Sequence, residues 1–292
     1  MNSAANFMDV WQLAPVQRGL FALVLGAVGL PIVGVVIIGL DIMPVRFAMM
    51  HVALLGIAVG MLTGLDPMLC ALVACGGSGA ALTPLARSRT GLSGAMGLLM
   101  SLSIAGALLV LSISGVNANG AFELLWGSIL ATRTADVVLL GVLAAVVPLL
   151  FVLRRRQIGL LLHDRELAAC SGVRVDRLTL ILLVLVAIAV AAGIRLTGAL
   201  LVDALTLLPA LAARRLANSL TTMAITAVVV GVVVNIAGFT LAVALDLPPG
   251  PVLVLLAGAV ALVVHVIPDW RKRGWPSSDE TGSRASRSVP LH

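Results

Sequence analysis

Apolar runs of about twenty residues follow one another from Gly19 to Ile267, separated by short polar stretches. As a helix, a run of that length rises ~30 Å, the thickness of a bilayer's hydrocarbon core. A soluble globule cannot hold this pattern, because 60% hydrophobic against 11% charged residues leaves too little polar surface to cover it. The sequence reads as an all-α, polytopic membrane protein.

The runs fall at roughly 19–40, 44–63, 67–86, 92–114, 136–153, 178–194, 197–213, 223–245 and 252–267. Counted from an outer N-terminus, nine crossings put every basic cluster on one side: Arg87 and Arg89, Arg154 to Arg156, Arg214 and Arg215, and Arg271 to Arg273. Positive loops mark the cytoplasm, so topology accounts for the net charge of +6 without a nucleic-acid partner. One broken or re-entrant segment would reduce the count to eight. Residues 1–17 lack the basic start and cleavage site of a signal peptide. The membrane domain is expected over 18–268, with a polar, disordered cytoplasmic tail over 269–292. Between 122 and 131 a short helix is expected at the outer interface, anchored by Trp126. Cys70, Cys75 and Cys170 have no metal-ligand spacing, and Cys70 and Cys75 read as small apolar fillers.

The densest polar block before the tail is Gly159 to Arg177. Within it Asp164, Arg165 and Glu166 open a short helical stretch, Leu167 to Ser171, with Gly172 suited to its C-terminal cap. A plain connector needs fewer residues, so the segment reads as a docking surface for a soluble partner. A phosphate-binding loop needs a lysine, and the single Lys272 precedes Arg273 and Gly274 in no such motif. Any ATP hydrolysis therefore belongs to another subunit, and the chain is not itself expected to be an enzyme.

Two blocks carry a more specific signal. Arg165-Glu-Leu-Ala-Ala-Cys-Ser-Gly-Val173 is followed, after one apolar span, by Leu196-Thr-Gly-Ala-Leu-Leu-Val-Asp-Ala-Leu-Thr-Leu-Leu-Pro-Ala-Leu-Ala-Ala-Arg214. In order and distance they resemble the permease subunit of the ATP-binding cassette importers for zinc, manganese and iron(II), and Leu125 to Leu130 is similar to that family's stretch before span five. The resemblance runs from about Val16 to Ile267. It implies a type II (BtuC-like) importer fold of about eight or nine transmembrane helices in the plasma (inner) membrane. It also implies a homodimer with one pathway between its halves, two ATP-binding cassette ATPase subunits, and an extracytoplasmic metal-binding protein. Asp164, Arg165, Glu166, Ala169, Gly172 and Val173 would couple to the ATPase. No permanently bound cofactor is implied; the divalent metal is cargo, zinc favoured and manganese next.

Ionisable groups inside a membrane are costly and mark pathways. His51 lies in the second run, and imidazole suits zinc, manganese or iron, although a packing role stays open. Similar permeases carry an acid four residues earlier, where this chain has Phe47. Asp203 is either a partner of Arg195 or a replacement ligand. Glu123 and Asp136 are solvated rim charges or an entrance for cations. Met43, Met49, Met50 and Met61 form no ligand stripe and read as core filling. Two rival readings remain at this level: an ion-coupled secondary transporter, and a permease for metal chelates.

Overall fold

The computed structural model describes residues 13–85, 89–114, 129 and 132–266. Within them the chain forms α1 (Ala14–Gly39), α2 (Met43–Thr63), α3 (Pro67–Leu82), α4 (Arg89–Ile113) and α5 (Thr134–His163). It continues through α6 (Arg165–Cys170), α7 (Val175–Thr197), α8 (Ala199–Leu216), α9 (Leu220–Ala244) and α10 (Pro249–Val266). Seven of these are long and apolar enough to cross a membrane: α1, α2, α4, α5, α7, α9 and α10. The other two bundle helices explain why hydropathy alone leaves the count open. α3 has 16 residues, and the 18 residues of α8 include Asp203, Arg214 and Arg215.

α1 is the axis of the bundle and packs against α5, α7, α8 and α9. Small residues set how closely it approaches its neighbours. Any side chain at Gly34 would overlap the Thr206 carbonyl of α8. On α9, a Cβ at Gly231 would lie 2.9 Å from the Pro31 ring of α1 and 3.7 Å from the Pro209 ring of α8. Two helix-interrupting prolines therefore meet one glycine at a single crossing. Glycine surfaces of this kind let membrane helices pack by backbone contact where no hydrophobic force between helices exists.

α2 and α3 form a tight antiparallel pair. Gly64, at φ +72°, ends α2 in a left-handed turn, and Asp66 Oδ1 accepts from the Met68 and Leu69 amides at 2.7 and 3.1 Å to start α3. Cys75 is buried and donates to the Met49 carbonyl at 3.4 Å, in keeping with the filler role read from sequence.

The fifth run differs from its expected limits. The sequence places it at 136–153, ending at the triple arginine, but α5 continues unbroken to His163 and has 30 residues. Arginine is a good helix former, and Ile158 and Leu161 resume an apolar stripe that is buried in the core. The helix is ~45 Å long, well beyond the thickness of a hydrocarbon core, so its last turns project past one end of a span with α6 at their tip. The interface helix expected at 122–131, apart from Ile129, and the tail at 269–292 lie outside the described residues.

Candidate functional site

The docking segment is built from its caps inward. Asp164 ends α5, donating its amide to the Leu160 carbonyl at 2.9 Å. Its Oδ1 starts α6, accepting from the Glu166 amide at 2.7 Å and the Leu167 amide at 3.1 Å. The Leu167 and Glu166 amides, and more weakly His163 beside it, hold the Asp164 carboxyl below its ordinary value. At the other end Gly172 adopts φ +78°, which a Cβ would disfavour. Its amide donates to the Ala169 carbonyl and the Val173 amide to the Ala168 carbonyl, both at 3.1 Å. That pair of bonds is a Schellman motif, and Val173 packs onto the core as such motifs require.

α6 is thus a rigid six-residue helix held at three points. Ala168 is fully buried, the caps fix both ends, and Arg165 pairs with Asp176 of α7 at 3.2 Å. The sequence grouped six residues as one contact set, and the structure divides them. Asp164, Arg165, Gly172 and Val173 shape the helix, whereas Glu166 and Ala169 are exposed together with Leu167, Cys170 and Ser171. Leu167, half exposed, is the apolar centre of that face.

Behind α6 lies a cavity of about 430 Å³. It is bounded by the Gly39–Pro44 corner, Leu92 and Met96 of α4, the end of α5, and Thr179 and Leu183 of α7. The Thr179 hydroxyl is buried without a hydrogen-bond partner among the described residues.

Within the membrane, His51 is half-buried on α2, and its Nδ1 lies 2.7 Å from the Phe47 carbonyl. A carbonyl only accepts, so Nδ1 is the donor, and the lone pair a neutral imidazole would offer lies on Nε2. This backbone bond is the support that metal-binding histidines receive from their surroundings. The Phe47 backbone carbonyl, one turn earlier on α2, thus fixes the orientation of the ring. Arg46, which the sequence reading passed over, is 5% exposed with its guanidinium 4.3 Å from the Phe47 ring centre. Its position three residues into α2 was the only available signal.

The remaining candidates divide. Asp203 lies on α8, but its side chain and that of Arg195 are outside the described set, as is all of Glu123. Asp136 is 8% exposed and accepts the Arg133 amide at 2.9 Å, so its carboxylate caps α5. Among the described residues no group of three or more His, Cys, Asp or Glu gathers into a metal cage. Asn235, also unforeseen, is buried in α9 with no partner for Nδ2 among them.

The model of the ABC 3 transport family matches residues 12–267. A "probable metal transport system membrane protein" of Thermotoga maritima is 30% identical over 207 residues, 71% of this chain and 73% of its own. The zinc transport system membrane protein TroC of Treponema pallidum is 33% identical over 129 residues, 44% of this chain and 43% of TroC. Among solved structures, PsaBC from Streptococcus pneumoniae superposes with a TM-score of 0.78 at 24% identity, covering 92% of this chain and 98% of that one.

Proposed function

This chain belongs to the ABC 3 transport family, and from that premise we propose that it is the permease of an importer for divalent transition metal ions. Zinc is favoured, with manganese and iron(II) as the alternatives. The family match and the seven apolar helices support a multi-pass membrane protein of the plasma membrane. ATP hydrolysis belongs to two separate ATPase subunits, and an extracytoplasmic binding protein delivers the ion. Two permeases pair around one pathway.

The observation that carries this reading is α6. A surface helix with both caps made, its inner face buried and an apolar residue turned outward is built to be gripped. Glu166, Leu167 and Ala169 form the grip, and Asp164, Arg165, Gly172 and Val173 keep it in shape. α6 sits between the projecting end of α5 and the start of α7, so displacing it tilts two core helices together. The cavity behind it gives the helix room to be pushed. ATP-driven closure of the partner subunits would supply that push and expose the pathway to one side at a time.

Along that pathway His51 offers one imidazole nitrogen, a weak and exchangeable ligand suited to passing an ion rather than storing it. The absence of a carboxylate at Phe47 tilts the choice toward zinc over the harder manganese. Asp203 is the second proposed ligand. Glu123 and Asp136 would stand near the entrance, with Asp136 acting chiefly through the fold. In proteoliposomes, metal uptake should require the ATPase and ATP. Uptake by the purified permease alone, with no nucleotide, would overturn the proposal.

A further inference from the structure

Asn235, on α9, is 3% exposed, and its Nδ2 has no hydrogen-bond partner among the described residues. A buried amide donor left unmet is costly, most of all where water cannot reach it. One turn before it stands Gly231, on the same buried face of α9 and at the crossing with Pro31 of α1 and Pro209 of α8. Proline has no N–H to give, so α1 leaves the Ala27 carbonyl, four residues before Pro31, without its helical donor. That same oxygen would lie 3.5 Å from a Cβ on Gly231. α1 ends where Gly39 abuts Leu162 of α5, and α9 begins nearby, with Leu220 against Gly159, so the two helices run antiparallel. A helical side chain leans back over the turn that precedes it. Asn235 therefore overhangs the notch at Gly231 through which the Ala27 oxygen is reached.

We propose that Asn235 is a positioning residue of the transport cycle, its Nδ2 donating to the Ala27 carbonyl in one state and released from it in the state described above. The inference rests on the importer reading and assigns a step within it. An unmet donor and an acceptor lacking its helical donor face one glycine, and a small shift of α9 against α1 brings them together. A bond that is either made or broken gives two discrete arrangements of the crossing, which is what coupling between distant sites requires. α1 packs against α5 and α7, the helices that hold α6, and against α8, which carries Asp203. The bond decides whether α8 and α9 move with that core or against it.

The test uses the full chain with its ATPase in proteoliposomes, with zinc and manganese each supplied as the ion. Asn235→Leu keeps the size and removes the donor. It should lower ATP-dependent uptake at least fivefold, while the thermal midpoint does not fall and the ATPase still co-purifies. Pro31→Ala restores an N–H for the Ala27 carbonyl within α1. It should lower uptake by itself and leave Asn235→Leu with less than a twofold further effect. Pro209→Ala restores the donor for the Leu205 carbonyl instead, and its effect should multiply with that of Asn235→Leu in full. If Asn235→Leu fails to insert, the same coupling is read with Asn235→Ala. Three results overturn the proposal: unchanged uptake on loss of the amide, a midpoint that falls along with uptake in Asn235→Leu, or independent effects of the Asn235 and Pro31 changes. Wild type without ATP-dependent uptake overturns the importer reading itself, whereas wild-type uptake with any of those three removes only the role of Asn235.

Discussion

Arg165, the first residue of α6, and Asp176, in the first turn of α7, are joined by a 3.2 Å ion pair across the Schellman turn. Both side chains are solvent-exposed to a third or more, so the pair contributes ~0–1 kcal/mol to folding. Its consequence is angular: it fixes how α6 leans on α7. Asp176→Asn should leave the thermal midpoint within a degree or two and lower permease-stimulated ATPase activity several-fold. Asp176→Glu should recover most of the stimulation. A large fall in the midpoint would assign the pair to the fold instead.

Asp164 holds the N-terminal cap, and the sign of its pH dependence follows from its depressed carboxyl. The folded carboxyl is more acidic than the unfolded one, so the stabilisation is fully present above the ordinary carboxylate pKa. It is lost as pH falls through the depressed value. Protection of the Glu166 and Leu167 amides from hydrogen exchange, taken relative to the intrinsic rate at each pH, should be high at neutral pH and fall in acid. Asp164→Ala should be little protected at either pH, while Asp164→Asn, which still caps, should lose the pH dependence and keep most of the protection.

On the exposed face, Glu166→Arg and Leu167→Ala should each abolish co-purification of the ATPase with normal membrane abundance of the permease. Cys170→Ser, at the helix end, should reduce it little. Retention of the ATPase by both of the first two variants would remove α6 from the contact.

Gly34→Val tests the central crossing. Its side chain would meet the Thr206 backbone and the Ala210 side chain, neither of which yields easily. Overpacking of this kind costs about 1–3 kcal/mol or more, and a fall of several degrees in the thermal midpoint should accompany reduced insertion. Gly94→Ala, with open space around it, is the matched control and should be neutral.

Asn235→Leu removes a buried amide donor that has no partner among the described residues. Apolar replacement of such a group is neutral or stabilising, so the midpoint should hold or rise. Loss of uptake in that stable protein would mark Asn235 as a residue whose partner appears in another state of the cycle.

The spans and α6 were legible for different reasons. Hydropathy at a period of about twenty located the bundle, and a carboxylate followed eight residues later by glycine gave α6 both of its ends, Asp164 and Gly172. The end of α5 was not legible, because Arg154 to Arg156 read as a membrane boundary and the burial of Ile158 and Leu161 behind them is a tertiary fact. His51 was legible as a residue type, whereas its protonated nitrogen depended on the 2.7 Å approach of a backbone carbonyl. Arg46 and Asn235 were missed because an isolated polar residue carries no periodic signal, and only packing reveals that it is enclosed.

The unbroken course of α5 makes handedness and length one quantity. A single residue inserted between Arg156 and Ile158 would swing α6 by ~100° about the rod and advance it ~1.5 Å, turning Leu167 away from whatever holds it. On the proposed reading, register along this shaft would matter as much as the identity of the contact residues for engaging a partner at α6.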